Sequence, residues 1–184
     1  MNKKIIIQIP CLNEESTIGK VISDLKKVIP SAKIIVYDNN STDKTIKEAK
    51  KHGVEVFLER KKGKGNVVKR MFSDTFDANI YIMLDGDNTY DTSKIKQSVD
   101  IFFKEKYDML VAKRIHSDPS AYRRGHVLGN QMFSRFVNYI FGNDISDIFS
   151  GYRIFSKRFI KTFPQSSNEF EVEAELTIHA LEQG

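Results

Sequence analysis

The sequence predicts an α/β fold, a mostly parallel sheet with helices on both faces. Three observations point there. Short apolar runs alternate with stretches of helical periodicity through the first two thirds of the chain. Ile and Val crowd successive positions of those runs, as they do in strands buried on both faces. A length of 184 residues suits one domain with a substantial core.

The first strand is KIIIQI (4–9). In STIGKVISDLKKVI, residues Ile18, Val21, Ile22, Leu25, Val28 and Ile29 share one helical face. KIIVY (33–37) is the next strand, and TDKTIKEAKKHG is a helix stopped by Gly53 where a left-handed cap is wanted. VEVFL (54–58), IYIML (80–84) and DMLVA (108–112) are further strands, with helical stretches near 66–76 and 93–106. From Ile115 the alternation breaks down. Residues 123–142 suit an amphipathic helix ended by Gly142, DIFSGYRIFSK (147–157) a turn entering a strand, and residues 168–184 a helix with Asn168 near its cap. No repeat or long linker divides the chain, so one domain is expected over 1–184.

Composition bounds the function. Apolar residues make up 40% and charged residues 29%, which argues against disorder, and a net charge of +5 favours anionic partners. A single cysteine, Cys11, fits a reducing compartment, and no run approaches the roughly 20 apolar residues of a membrane span. The reading is cytoplasmic. The four histidines are scattered without zinc spacing.

In open parallel sheets ligands bind beyond the carboxyl ends of the strands. Those ends carry PCLNEE, DNNSTD, ERKKGKGN, DGDNTYD and KRIHSD. In an extended backbone Asp85 and Asp87 would face one point, with Gly86 admitting a ligand close to the chain. Paired carboxylates repel unless a cation sits between them, and Mg²⁺ or Mn²⁺ suits oxygen ligands. A solvated turn is the plainer reading of the same three residues. Asp38 lies too early to cap the helix after it and could accept from a nucleobase or ribose edge, whereas Ser41, Thr42 or Asp43 would do the capping. Lys64, held between Gly63 and Gly65, suits a diphosphate, while Lys61 and Lys62 read as solvated surface. Arg123, Arg124 and Arg153 are forks for phosphate. No nucleic-acid motif is present, and the aromatic residues do not recur as a stacking platform.

Taken together, IPCLNEE, VYDNNSTD, KKGKGN, DGD after a strand, RRGHVLGN, DIFSGYRIFSK and FEVEAELTIHA resemble the family 2 glycosyltransferases, whose GT-A fold is Rossmann-like. The likeness is greatest to the dolichyl- and polyprenyl-phosphate sugar transferases and covers nearly the whole chain. It implies a nucleotide-sugar-binding half over 1–112 and an acceptor-side half over 113–184. By that resemblance Pro10, Asn13, Glu14 and Asp38 serve the donor nucleotide, Lys64, Asp85 and Gly86 lie beside it, and Asp87 ligates the metal directly with Asp85 as its partner. Arg114, Arg123 and Arg124 gather an acceptor phosphate, Asp147, Ser150 and Arg153 match a later signature that closes the site, and Glu171 and Glu173 sit near it. Two departures stand out: Asn39 replaces the usual second aspartate of the base motif, and DGDNTYD replaces DADGTYP.

The function expected is a metal-dependent, inverting transfer of a sugar from a UDP- or GDP-sugar to a polyprenyl phosphate, with peripheral association at the cytoplasmic face of a membrane. Asp87, Asp147 and Arg124 are the catalytic candidates. Transfer to a sugar hydroxyl, with Asp147 as base, is the alternative. A non-catalytic nucleotide-binding module and an RNA- or acidic-surface-binding protein are the rivals from other classes.

Overall fold

Strands β1 (Ile5–Cys11), β2 (Lys33–Asp38), β3 (Glu55–Leu58), β4 (Ile80–Met83), β5 (Met109–Val111) and β6 (Arg153–Ser156) form one sheet in the order β3-β2-β1-β4-β6-β5. The computed structural model describes residues 4–74, 77–112, 147–164 and 171–183. β1 pairs in parallel with β2 and β4, and β2 with β3. Helices α1 (Ile18–Val28), α2 (Thr45–Lys51), α3 (Lys64–Ser73), α4 (Ile95–Glu105), α5 (Lys157–Thr162) and α6 (Val172–Gln183) cover both faces. Each expected strand and helix among the described residues is present, with ends shifted by a few residues. The expected helix over 123–142 and the Asn168 cap lie outside the described residues.

Alternation along β1 builds two cores. Ile5, Ile7 and Ile9 pack with Ile18, Val21, Ile22 and Leu25 of α1, Ala49 of α2, and Val99 and Phe102 of α4. Ile6 faces the opposite side and joins Val67, Val68, Met71 and Phe72 of α3, Phe159 and Ile160 of α5, and Val172 and Leu176 of α6. Each fully buried aliphatic side chain contributes roughly 1.5–3 kcal/mol, so the two layers hold the sheet between them. Gly53 closes α2 in the left-handed region, φ 65, as its position in the sequence implied.

The strand following residues 147–152 departs from the parallel pattern. β6 runs antiparallel between β4 and β5, with Met83 opposite Arg153. Continuing that register by two residues sets Gly151 against Asp85, so a segment late in the sequence reaches the mouth of β4.

Arg153 fastens this arrangement. Its side chain is fully buried, and its Nε and Nη2 donate to the carbonyls of Ser150, Ile148 and Glu173 at 2.9, 2.6 and 2.9 Å. Nη1 donates to Thr177 Oγ1 at 2.9 Å and approaches the Met109 sulfur at 3.4 Å. All five N–H groups of the fork are thereby used. Burial lowers its pKa to about 10, which leaves it charged at neutral pH. The phosphate role expected for Arg153 is therefore corrected, since no donor remains to meet a ligand. Ser150 is corrected likewise: it is buried, its hydroxyl donates to Ala112 O at 2.5 Å, and it accepts from Tyr152 N at 3.2 Å.

Arg153→Met would strip charge-assisted bonds from three buried carbonyls. We expect a loss of at least ~3 kcal/mol, since each orphaned acceptor costs about 1–3 kcal/mol, measured as the shift in urea midpoint.

Candidate active site

The order β3-β2-β1-β4 reverses direction in sequence between β1 and β4, where open α/β sheets place their ligands. Pairing of β4 with β1 ends at Gln8 and Met83, although Leu84 N still donates to Gln8 O at 3.2 Å. On the other edge, Cys11 O accepts from Asn39 N at 2.9 Å. Backbone groups alternate along a strand, so Pro10 turns its nitrogen toward β4, past the end of pairing, where a missing N–H costs nothing. The sheet opens there. A cavity of about 580 Å³ fills the opening, lined by Pro10–Glu14 from β1, Asn39, Asn40 and Thr42 from β2, Lys62–Lys64 and Val67 at α3, and Asp85 and Asp87 from β4.

Three loops are tied together around it. Asn13, in the left-handed region at φ 57, accepts from Thr42 N through Oδ1 at 2.8 Å, and its own N–H donates to Ser41 Oγ at 2.9 Å. Asn39 donates through Nδ2 to the carbonyls of Glu59 and Lys61 at 3.0 and 2.8 Å and accepts from Gly63 N at 2.9 Å. An aspartate could not make the first two bonds. The departure at position 39 thus has a structural reason: the amide holds the basic loop over the cavity. Lys62 is exposed, as expected of a solvated residue, and lies at the rim of the cavity.

The carboxylates do not meet by strand alternation. β4 has ended at Met83, and residues 86–87 form a turn. Asp87 is exposed and accepts from Thr89 N and Oγ1 at 3.0 and 2.7 Å, so the solvated-turn reading describes its backbone. Asp85 is half-buried, and its Oδ1 lies 2.7 Å from Lys64 Nζ, which also lies 2.6 Å from Glu173 Oε1. Burial alone would lower the Lys64 pKa, but Asp85 and Glu173 outweigh it and raise the group above an ordinary lysine.

Gly86 does not open space for a ligand, which corrects the expectation placed on it. A Cβ there would overlap the Glu14 carboxylate and the Cys11 thiol, which already lie against its Cα. Glu14 Oε2 is buried without a hydrogen-bond partner. Burial first, then Asp85 and Asp87, push its pKa up to about 8 against the opposing Cys11 hydrogen bond and Lys64. Gly151 is tight as well, since a Cβ there would overlap the Asp85 carboxylate. Tyr90 holds it, its hydroxyl accepting from Gly151 N at 2.6 Å.

Asp38 is fully buried; Oδ1 accepts from Ser41 N at 3.0 Å, and Oδ2 has no partner. The cap position of α2 is Lys44, whose side chain makes no cap bond, and Asp43 before it accepts from Thr45 N at 2.9 Å. Asp147 is buried beside Arg153, whose charge it supports. Arg114, Arg123 and Arg124 lie outside the described residues. Sequence reasoning set Glu173 only near the site; its direct contact with Lys64 had no local signal, because it is made across some hundred positions of chain.

Among the described residues no cluster of three His, Cys, Asp or Glu side chains could hold a metal ion alone. Asp85 and Asp87, whose oxygens could serve as hard ligands, line one cavity with Glu14, which has an unpartnered oxygen. The negative charge exceeds what Lys64 can offset, which suits a divalent cation that takes its remaining ligands from phosphate and water.

A sheet of this order, open at the carboxyl ends of β1 and β4 onto a polar cavity, is a Rossmann-like α/β fold with a ligand site at its switch point. The chain matches the family model "Glycosyl transferase family 2" over residues 6–163 and belongs to that family. Protein RfbJ of Shigella flexneri is 49% identical over 123 residues, 66% of this chain and 95% of that protein. Glycosyltransferase AglJ of Haloferax volcanii is 33% identical over 98% of this chain but only 59% of its own length. A dolichyl-phosphate hexose transferase of Haloferax volcanii is 25% identical over 94% of this chain and 74% of that protein. Glucosyl-3-phosphoglycerate synthase of Mycobacterium tuberculosis, solved with Mn²⁺, UDP and glucosyl-3-phosphoglycerate, superposes with a TM-score of 0.82 at 21% identity, covering 99% of this chain and 66% of that one. That likeness establishes the GT-A fold.

Gly151→Ala should cost about 1–3 kcal/mol by overpacking against Asp85, read by urea denaturation. For Glu14 the folded pKa lies above the unfolded one, so its contribution to stability is intact below the ordinary carboxylate range and is lost as pH rises through about 8. Glu14→Gln should therefore melt higher than the parent at about pH 9 and show little gain at about pH 4, by paired thermal melts.

Proposed function

We propose that the chain is the catalytic domain of an inverting, metal-dependent glycosyltransferase that moves a sugar from a UDP- or GDP-sugar to a polyprenyl phosphate. The observation that carries the reading is the convergence of Asp85, Asp87 and Lys64 on one cavity where the sheet opens between β1 and β4. Similarity to a dolichyl-phosphate hexose transferase supports the acceptor class. The Mn²⁺ and UDP in the structural neighbour support the donor class.

In this reading Pro10, Asn13 and Glu14 line the nucleotide side of the cavity, and Asp38 presents its unpartnered buried oxygen to the base or ribose. Asn39 fixes the loop that carries Lys62 and Lys64 toward the diphosphate. Asp85 and Asp87 would hold a divalent cation, Mg²⁺ or Mn²⁺, which when bound supplies positive charge to the departing nucleoside diphosphate. Lys64 adds its own charge to the same leaving group, so catalysis is chiefly electrostatic. As the bond from the anomeric carbon to the diphosphate breaks, an acceptor phosphate oxygen bonds to the opposite face of that carbon. This oxygen is already anionic and needs no general base. Arg114, Arg123 and Arg124 are proposed to gather the acceptor phosphate. The half over 1–112 takes the donor and that over 113–184 the acceptor, at the cytoplasmic face of a membrane; no described helix is long and apolar enough to cross it.

A thermal-shift panel of UDP-, GDP- and dTDP-sugars, with and without Mn²⁺, tests the donor site through stabilisation by mass action. Stabilisation by a UDP- or GDP-sugar that requires the metal is expected, and its absence for every donor rejects the reading. Asp87→Ala should lower metal-dependent release of nucleoside diphosphate by about a hundredfold or more, because the ion contributes several kcal/mol to the transition state. Asp147→Asn separates the acceptors: it spares much of the transfer to a lipid phosphate but nearly abolishes transfer to a hydroxyl, which needs a base. Donor binding without any release of nucleoside diphosphate would mark a non-catalytic module.

A further inference from the structure

Glu173 reaches the cavity from the first turn of α6, and three observations set it apart. Its Oε1 lies 2.6 Å from Lys64 Nζ, whose other anionic partner is Asp85 Oδ1 at 2.7 Å. Its side chain is 5% exposed, Oε2 has no hydrogen-bond partner, and the Lys64 ammonium is its direct ion pair, with the buried Arg153 guanidinium acting on it through charge alone. Its main-chain carbonyl accepts from Arg153 Nη2 and Thr177 Oγ1, both at 2.9 Å, so the helix backbone there is held independently of the side chain.

We infer that Glu173 is a positioning residue of the donor site. By keeping the Lys64 ammonium on an anionic partner of its own, it frees Asp85 to bind a divalent cation. The inference rests on the donor-site reading above and names a residue that reading does not use.

The argument is electrostatic. Lys64 and Asp85 neutralise each other where the sheet opens, so a cation that takes Asp85 must displace the ammonium from it. A buried ammonium left with no counter-charge is strongly unfavourable. Glu173 removes that obstacle, because Lys64 keeps a carboxylate at 2.6 Å whether or not Asp85 turns away. The same pairing holds the lysine at the cavity wall with its remaining N–H directions available to phosphate oxygens. Without Glu173 the single carboxylate left to Lys64 is the one the cation requires, and the two positive charges compete for it. The partner that supports a ligating carboxylate is thus reached through a lysine, and loss of such support typically lowers metal affinity by about 10–100-fold.

Calorimetric titration of the whole chain with Mn²⁺, in saturating UDP and separately in saturating GDP, reads cation affinity without turnover. Glu173→Gln keeps the shape and removes the charge, and should weaken Mn²⁺ binding by about 10–100-fold. Glu173→Asp keeps the charge but withdraws it by one methylene from Lys64, and should share most of the loss. In a Lys64→Met chain, adding Glu173→Gln should change Mn²⁺ affinity no further, because the carboxylate acts through the ammonium. Parental affinity in both Glu173 variants overturns the inference, as does a full additional loss in the Lys64→Met background, since either result makes Glu173 indifferent to Lys64. A parent chain that binds no Mn²⁺ with either nucleotide overturns the donor-site reading beneath it.

Discussion

The buried guanidinium of Arg153 is the constraint on which the late part of the chain depends. One planar cation gathers the carbonyls of Ile148, Ser150 and Glu173, so the 147–152 turn, β6 and α6 are joined at a single point. Two features of the site follow. Gly151 is pressed against Asp85, and Glu173 is brought to Lys64. A buried charge of this kind is costly unless fully hydrogen-bonded, and the cost is met here because every donor of the fork has an acceptor.

Charge at the end of β4 sets the second theme. Asp85, Asp87 and Glu14 share one small opening, and Lys64 cannot neutralise all three. Glu14 registers the setting: burial first, with Asp85 and Asp87 adding to it, drives its carboxyl up to about 8, and one of its buried oxygens has no hydrogen-bond partner. Folding tolerates this because the surrounding sheet is stabilised by two apolar layers, most of whose side chains lie away from the cavity.

Much of this was legible in the sequence. Ile-rich runs and helical periodicity located the strands and helices among the described residues, because burial on two faces leaves a pattern in composition as well as in spacing. Asp85, Asp87 and Lys64 are legible from the loops that follow strands, where ligands collect in open sheets, whereas Pro10, Asn13 and Glu14 are named through the family resemblance. Arg153 and Ser150 misled for a physical reason. Arginine reads as a phosphate fork, and nothing local to the residue distinguishes a fork aimed at ligand from one aimed at main-chain carbonyls. Gly86 misled similarly, since a glycine records that something approaches the backbone without saying whether it is a ligand or the protein's own carboxylate. Asn39 first reads as a weakened base motif, and its task as a clamp on the 59–63 loop became visible once the carbonyls it donates to were in place.

The amino-acid sequence by itself determined the layered α/β architecture, the strand ends that bear the polar residues, and the acidic pair with its nearby lysine. These depend on short-range patterning and on rules that hold for any parallel sheet. Tertiary structure alone decided the antiparallel insertion of β6, the pressing of Gly151 on Asp85, and the sharing of Lys64 between Asp85 and Glu173. Those contacts join segments far apart in the chain, and their register follows from how two apolar layers pack, which no local spacing records.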